Sequence, residues 1–542
     1  MHHTMQDYPL TVQHVLWRVE KLFGRKEVVT QREEGVHRYT YGDFAARVHQ
    51  LAHALERLGV RPGDRVATLA WNNYRHLELY YAIPCMGAVL HTLNLRLFPE
   101  QLAFVIEDAE DSVLFVDKTL IPVLNKIAGR LPTVRTLVAL DDGGALPGHD
   151  LGEMLDYETL LRGEPTTYGW PTLDEQTAAA MCYTSGTTGN PKGVVYSHRS
   201  QFLHTMGVLQ KGSLNLGEDD TILPVVPMFH ANSWGLPYAS GMAGAKMVLP
   251  DRWMGDGATL VNLCQTEDVT MLAGVPTIWI NLLHQIEKTG ARLPKVHTVV
   301  SGGSAIPPVL MAGMDAQGLR MLHAWGMTET SPIGTISVPR SWQAEGDQLS
   351  IRLKQGPPLP GVELRIADLA TGAALPWDGE AFGEVQVRGP WIASGYYHDA
   401  DPGKLTSDGW FKTGDVATID PHGFVGIVDR TKDVIKSGGE WISSIDLEGA
   451  VMAHPKVLEA VVIGLAHPKW SERPVAFVVA KPEHAGAITP DEIRTFLADK
   501  IARWWMPDEI RFIAEIPKTS AGKFDKKVLR ADAAPLAEAV TN

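Results

Sequence analysis

Cysteine is scarce in this chain, with 3 in 542 residues. Cys85, Cys182 and Cys264 form no C-x-x-C pair and match no metal-ligand spacing. That argues against a disulfide framework and a thiolate metal site, and points to buried thiols in a reducing compartment. Positive charge is also in deficit: 49 Lys and Arg against 63 Asp and Glu leave a net charge of −14. Broad nucleic-acid binding wants a basic surface, so no nucleic-acid partner is expected. No apolar run approaches the ~18 residues that would span a bilayer, so no integral membrane segment is expected. The opening residues, "MHHTMQDYPL", lack a basic stretch followed by an apolar one, so no signal peptide is read. Repeats and low-complexity tracts are missing as well. The expectation is a cytoplasmic protein.

What is present is ordinary globular composition, 45% hydrophobic and 21% charged, in a chain too long for one core. From residue 40 to 58 the apolar positions Tyr41, Phe44, Ala45, Val48, Leu51, Ala52, Leu55 and Leu58 form a helical stripe. Gly59 and the turn "VRPGD" close it, and "RVATLAW" reads as a buried strand. The same helix-to-strand order recurs toward "SVLFVD", "MLAGVP" and "VHTVVSGG", which predicts a layered α/β body. After about Gly356, alternating runs such as "FGEVQVRG" and "GFVGIVD" predict a β-rich part, about 356–429. A boundary is placed within 429–434, giving an N-terminal domain over 1–429, a hinge over 430–434 and a smaller α+β domain over 435–542.

The stretch 182–193, "CYTSGTTGNPKG", is dense in glycine and hydroxyl side chains. Residues 178–183 before it and "GVVYSH" after it read as strands. The loop therefore joins two strands, unlike the G-x-x-x-x-G-K-[ST] phosphate loop that opens a helix. Gly186 and Gly189 permit conformations that turn backbone N–H groups inward. Thr184, Ser185, Thr187 and Thr188 add hydroxyls, and Lys192 adds a cation. This set suits a mobile di- or triphosphate better than a plain hairpin turn. Gly302, Gly303 and Ser304 end a strand without bulk, so a purine or an acyl chain can lie against the backbone.

Four further segments follow the loop: "HAWGMTE" (323–329), "GWFKTGD" (409–415), "DRTKDVIKSGGEWIS" (429–443) and "PKTSAGK" (517–523). Together and in this order they resemble the adenylate-forming superfamily of acyl-CoA synthetases, peptide-synthetase adenylation domains and luciferases. Through "VVPMFH", "AWGMTE" and "IKSGGEWISS" the chain is most similar to bacterial medium- and long-chain fatty-acyl-CoA synthetases and to 3-methylmercaptopropionate-CoA ligases.

The resemblance implies a large N-terminal domain, a small mobile C-terminal domain and a reaction in two halves. A carboxylate attacks the α-phosphate of ATP to give acyl-adenylate and pyrophosphate; CoA then attacks the acyl carbonyl and AMP leaves. The cofactors implied are ATP, Mg2+ and CoA, the other substrate is a small carboxylic acid, and a homodimer is expected. Glu329 and Thr184 are implied as Mg2+ ligands, and Thr328 as a contact of the α-phosphate. His323, Ala324, Trp325, Gly326 and Met327 are implied around adenine, with Trp325 as the flat face. Asp415 and Arg430 would hold the ribose, and Lys523 would enter beside the reacting carboxylate. Lys432 matches the hinge, and Lys436, Gly438, Gly439 and Trp441 would line the thiol channel. His230 lies beside the expected metal–phosphate region. Val226, Trp234 and Pro332 are implied around the acyl group, with Trp234 as an aromatic gate. The leading expectation is a medium- or long-chain fatty acid as substrate. The alternatives are 3-methylmercaptopropionate and, further off, an adenylation enzyme that feeds a carrier protein.

Overall fold

The computed structural model describes residues 4–184, 190–343, 348–438, 440–518 and 524–537. The stripe read over 40–58 forms helix Tyr41–Arg57. It begins there because the Thr40 hydroxyl accepts from the Asp43 N–H at 3.1 Å, while the Asp43 carboxylate accepts from the Thr40 N–H at 3.0 Å. Two orphan donors of the first turn are thereby satisfied. Gly59, at φ +82°, takes the left-handed conformation that ends the helix. Strand Arg65–Leu69 follows, and the alternation continues to strand Ile333–Ile336.

The chain divides into two compact units, residues 1–363 with 388–411 and residues 364–387 with 412–542. The first unit is α/β and holds two sheets. In the eight-stranded sheet the spatial order is Ile333–Ile336, Met321–Gly326, Thr298–Ser301, Met271–Gly274, Thr221–Pro224, Lys246–Leu249, Glu27–Gln31 and Val36–Thr40. Its interior pairings are parallel, and the two edge strands run antiparallel. The seven-stranded sheet runs Met154–Asp156, Thr136–Leu140, Val113–Asp117, Arg65–Leu69, Val89–Thr92, Ala178–Tyr183 and Gly193–Ser197. Strand Val113–Asp117 is buried at every position. Parallel strands covered on both faces need such unbroken apolar runs, which is why "SVLFVD" stands out in the sequence.

Parallel sheets bind ligands beyond the carboxyl ends of their strands. In the eight-stranded sheet, strands Thr221–Pro224, Met271–Gly274, Thr298–Ser301 and Met321–Gly326 are such neighbours. Their ends lead into residues 225–235, 275, 302–304 and 327–332, and three of those segments carry candidate residues.

The second unit is β-rich and holds the alternating strands expected after Gly356. They form a four-stranded sheet, Glu363–Ala367, Phe382–Arg388, Phe411–Ile419 and Val425–Arg430. A five-stranded sheet contains the long antiparallel pair Val457–His467 and Ser471–Ala480. Alternation along this pair feeds two cores. Ala460, Val462, Ala476 and Val478 pack with Leu447, Val451, Ile493 and Leu497. Val461, Ile463, Val475 and Phe477 pack with Leu529 and Ala533 on the other face.

Candidate active site

The loop at 184–192 leaves strand Ala178–Tyr183 and returns as strand Gly193–Ser197, with Tyr183 paired to Gly193. A strand-to-strand loop is what the sequence predicts. Its base is closed by two hydrogen bonds: the Thr184 N–H donates to the Lys192 carbonyl at 2.9 Å, and the Lys192 N–H donates to the Thr184 hydroxyl at 3.1 Å. Ser185, Gly186, Thr187, Thr188 and Gly189 lie outside the described residues, as do Gly439 and Lys523. The Lys192 ammonium is 2.6 Å from the Asp401 carboxylate. That contact holds the Asp401 carboxyl below its ordinary range. The same ammonium lies 5.1 Å from the centroid of the Tyr396 ring.

Tyr396 also donates its hydroxyl to the Glu329 carboxylate. Glu329 is only 5% exposed. A buried carboxylate is stabilised by a donor or a cation, and among the described residues no Lys, Arg or His side chain pairs with it. Its backbone is pinned from both sides: the Tyr196 hydroxyl donates to the Thr328 carbonyl at 2.7 Å, and the Ala393 N–H donates to the Glu329 carbonyl at 2.8 Å. One buried carboxylate and one loop hydroxyl, Thr184, are hard oxygen donors of the kind Mg2+ takes, with phosphate oxygens and water to complete its shell. The residues present fit that ion.

The segment 323–327 is built by close approach. A β-carbon on Gly326 would lie 1.9 Å from the Pro332 carbonyl oxygen, so only glycine fits there. That carbonyl accepts from the Met327 N–H at 3.2 Å. Trp325 is 8% exposed and packs over Gly334, where a β-carbon would lie 2.7 Å from its ring. The ring of His323 lies between polar partners, with Nδ1 2.9 Å from Leu353 O and 3.2 Å from Gln355 Nε2, and Nε2 3.3 Å from Ser304 O. Burial lowers its pKa. His323 thus ties the Gly303–Ser304 turn to the strand carrying Ala324, which is a framing role.

Residues 225–235, which carry the candidates Val226, His230 and Trp234, form a second constructed segment. Asn72 organises its start: its amide donates to the Pro224 and Val226 carbonyls at 3.0 and 2.8 Å and its oxygen accepts from the Met228 N–H at 2.7 Å. Ala231, Asn232, Ser233 and Trp234 then hold φ of 39°, 42°, 53° and 57°. A left-handed run of non-glycine residues costs roughly 1–2 kcal/mol each, so it persists only where its surroundings fix it. Asn232 does much of this fixing. Its side-chain oxygen accepts from the Cys182 thiol at 2.6 Å and from the Thr92 hydroxyl at 3.1 Å. Cys182 is the buried strand residue expected, and burial pushes its thiol up to about 11. The turn presents Trp234, whose ring edge would lie 3.1 Å from a β-carbon on Gly302. Val226, Trp234, Ala324 and Ile333 belong to one apolar cluster. His230 is half-buried at the head of the turn, and its carbonyl accepts from the Ser233 N–H at 3.1 Å.

In the second unit Asp415 and Arg430 face each other across antiparallel strands, with Nε 2.6 Å from Oδ1. Asp415 is 5% exposed, and Arg430 orients it. Lys432 tops the exposed turn in which the Asp433 and Val434 N–H groups donate to the Arg430 carbonyl. Lys436 and Trp441 pair across a hairpin, the ammonium 4.7 Å from the ring centroid. Gly438, at φ +63°, donates its N–H to the Trp470 carbonyl at 2.8 Å, and a β-carbon there would meet the Trp470 ring at 2.9 Å.

Sequence reasoning missed Asn72, Asn232, Tyr396, Asp401 and Trp470. The signal for Tyr396 and Asp401 was the run "GYYHDAD" (395–401), in which aromatic, histidine and acidic side chains crowd between glycine and proline turns.

The pattern of AMP-binding enzymes matches residues 16–397, and that of the AMP-binding enzyme C-terminal domain matches 446–523. A long-chain-fatty-acid–CoA ligase of Thermus thermophilus is 48% identical over 97% of this chain and 96% of its own. A medium-chain-fatty-acid–CoA ligase of Ectopseudomonas oleovorans is 44% identical over 96% and 95%. A 3-methylmercaptopropionyl-CoA ligase of Ruegeria lacuscaerulensis is 43% identical over 97% and 98%. Among solved structures, the anthranilate CoA ligase AuaEII in complex with anthranoyl-AMP superposes with a TM-score of 0.85 at 25% identity, covering 98% of this chain and 99% of that one. ATP-bound MatB from Rhodopseudomonas palustris gives 0.82 at 25% identity over 97% and 100%. The chain belongs to the family of AMP-binding enzymes and is an AMP-forming acyl-CoA ligase.

Proposed function

We propose that this ligase activates a medium- or long-chain fatty acid. The acid's carboxylate oxygen attacks the α-phosphorus of ATP, the bond to the β-phosphate oxygen breaks, and pyrophosphate leaves. The CoA thiolate then attacks the acyl carbon, the carbonyl–phosphate bond breaks, and AMP leaves with acyl-CoA as product. The observation that carries the substrate class is the enclosure of Trp234 against Gly302 in an apolar cluster with Val226, Ala324 and Ile333. Such a wall suits an alkyl tail and offers no carboxylate to grip an amino-acid ammonium.

The proposed residue roles are those that the family resemblance implies for the matching positions. Lys192 and the 184–189 loop take the β- and γ-phosphates, and Thr328 takes the α-phosphate. Glu329 and Thr184 would hold Mg2+, which when bound neutralises phosphate charge. Trp325 faces adenine against Gly302, Gly303 and Ser304, and His230 flanks the phosphates. Asp415, held by Arg430, takes the ribose hydroxyls. Val226, Trp234 and Pro332 border the acyl group. Lys523 stabilises the charge that develops during adenylation. Lys436, Gly438, Gly439 and Trp441 line the thiol path. The small domain rotates at Lys432 between the two half-reactions. We infer a cytoplasmic homodimer.

A second reading, 3-methylmercaptopropionate, is supported by relatives at 43% identity that bear that name. CoA-dependent AMP release, measured on straight-chain acids of three to sixteen carbons and on 3-methylmercaptopropionate, decides between them. Highest kcat/KM at eight carbons or more supports the fatty-acid reading. A maximum at the thioether acid replaces it.

A further inference from the structure

We propose that Asp401 is a displaceable counter-ion for Lys192: the polyphosphate of ATP takes the lysine from it, and Asp401 reclaims the lysine as pyrophosphate departs. This rests on the reading that Lys192 meets the nucleotide phosphates. The pair is direct, at 2.6 Å, between groups 209 positions apart in sequence. Both side chains keep about a third of their surface exposed, 30% for Lys192 and 32% for Asp401. Exchanging one anionic partner for another at such a site requires little desolvation, and an exposed pair stabilises weakly enough to be broken by a ligand.

Three contacts fix where the exchange occurs. The backbone of Lys192 is clamped to Thr184, so only its side chain needs to move. The Gly403 N–H also donates to the Asp401 carboxylate, so the acid keeps its orientation when the lysine leaves. The Tyr396 ring lies beneath the ammonium, and its hydroxyl reaches Glu329. Lys192 and Glu329, the carboxylate proposed to hold the metal, thus both contact the one Tyr396 side chain. A competitor that pairs only with the empty-site lysine weakens ATP and pyrophosphate binding by the same factor. Weaker pyrophosphate binding favours release of the first product.

The test uses the full-length enzyme with Asp401→Asn, which keeps the shape and removes the charge, and Asp401→Ala as a second variant. ATP KM and the inhibition constant of pyrophosphate are each expected to fall about three- to fivefold in both variants, the scale of an exposed ion pair. The KM for the acid stays unchanged. In a Lys192→Ala background, adding Asp401→Asn is expected to change neither constant. If Asp401→Asn and Asp401→Ala leave both constants unchanged or raise them, while Lys192→Ala raises them, the proposal is overturned and the phosphate role of Lys192 stands. If Lys192→Ala itself leaves both constants unchanged, the phosphate role of Lys192 fails and takes this inference with it.

Discussion

Trp234 rests its indole edge on the bare backbone of Gly302, so close that a β-carbon there would lie 3.1 Å from its Cη2 and 2.9 Å from the Ala324 carbonyl oxygen. The contact joins the left-handed turn at 231–235 to the end of strand Thr298–Ser301. Gly302→Ala is expected to push the indole off its seat and raise KM for the preferred acid about tenfold, the scale of one misplaced methyl group in an apolar pocket. Trp234→Ala is expected to shift the chain-length optimum. In Trp234→Ala, ATP KM is expected to stay within about twofold. An unchanged acid profile in Trp234→Ala would remove Trp234 from the acyl site.

Lys523 is assigned to one half-reaction alone. Lys523→Ala is expected to reduce acid-dependent pyrophosphate release by about a hundredfold or more, the scale of one lost electrostatic stabiliser. Thioester formation from supplied acyl-adenylate and CoA is expected to remain largely intact. Equal losses in both assays would contradict a domain that presents different faces in turn.

Among the described residues, Tyr396 supplies the side-chain donor to the buried Glu329 carboxylate. Groups that orient a metal ligand typically matter ten- to a hundredfold in metal affinity. Tyr396→Phe is therefore expected to raise the Mg2+ concentration for half-maximal pyrophosphate release by about tenfold or more, with the KM of the acid unchanged. An unaltered Mg2+ requirement would leave Tyr396 as packing only.

What the sequence made legible were features set by local rules. The helix Tyr41–Arg57 shows in its apolar stripe, and the loop at 184–192 shows in the strands on either side. The alternating strands after Gly356 were readable too. Asn232 meets Cys182 across 50 positions, and Lys192 meets Asp401 across 209. No local pattern encodes such contacts. The glycine at 326 read as part of a motif, and its physical cause, the Pro332 carbonyl 1.9 Å from where a β-carbon would stand, emerges only in three dimensions.

His204 supports this same region, and its burial is expected to make the fold sensitive to acid. The Ile333 N–H donates to its Nε2 at 3.1 Å, so the ring proton sits on Nδ1, which is buried without a hydrogen-bond partner among the described residues. Burial lowers its pKa from 6.5 to about 3, and burial likewise lowers that of His76 to about 4. Below about pH 6.5 the unfolded chain takes up protons that the folded chain refuses. Stability is therefore fully present above that point and is lost as pH falls toward the folded values, by up to ~1.4 kcal/mol per pH unit for each histidine. The denaturant midpoint of the wild type is expected to drop steadily from pH 7 to pH 5. In His204→Gln it should start lower, since the fitted ring is gone, and drop less steeply. Equal slopes for the two proteins would show that His204 is protonated in the native state and has no part in the acid sensitivity.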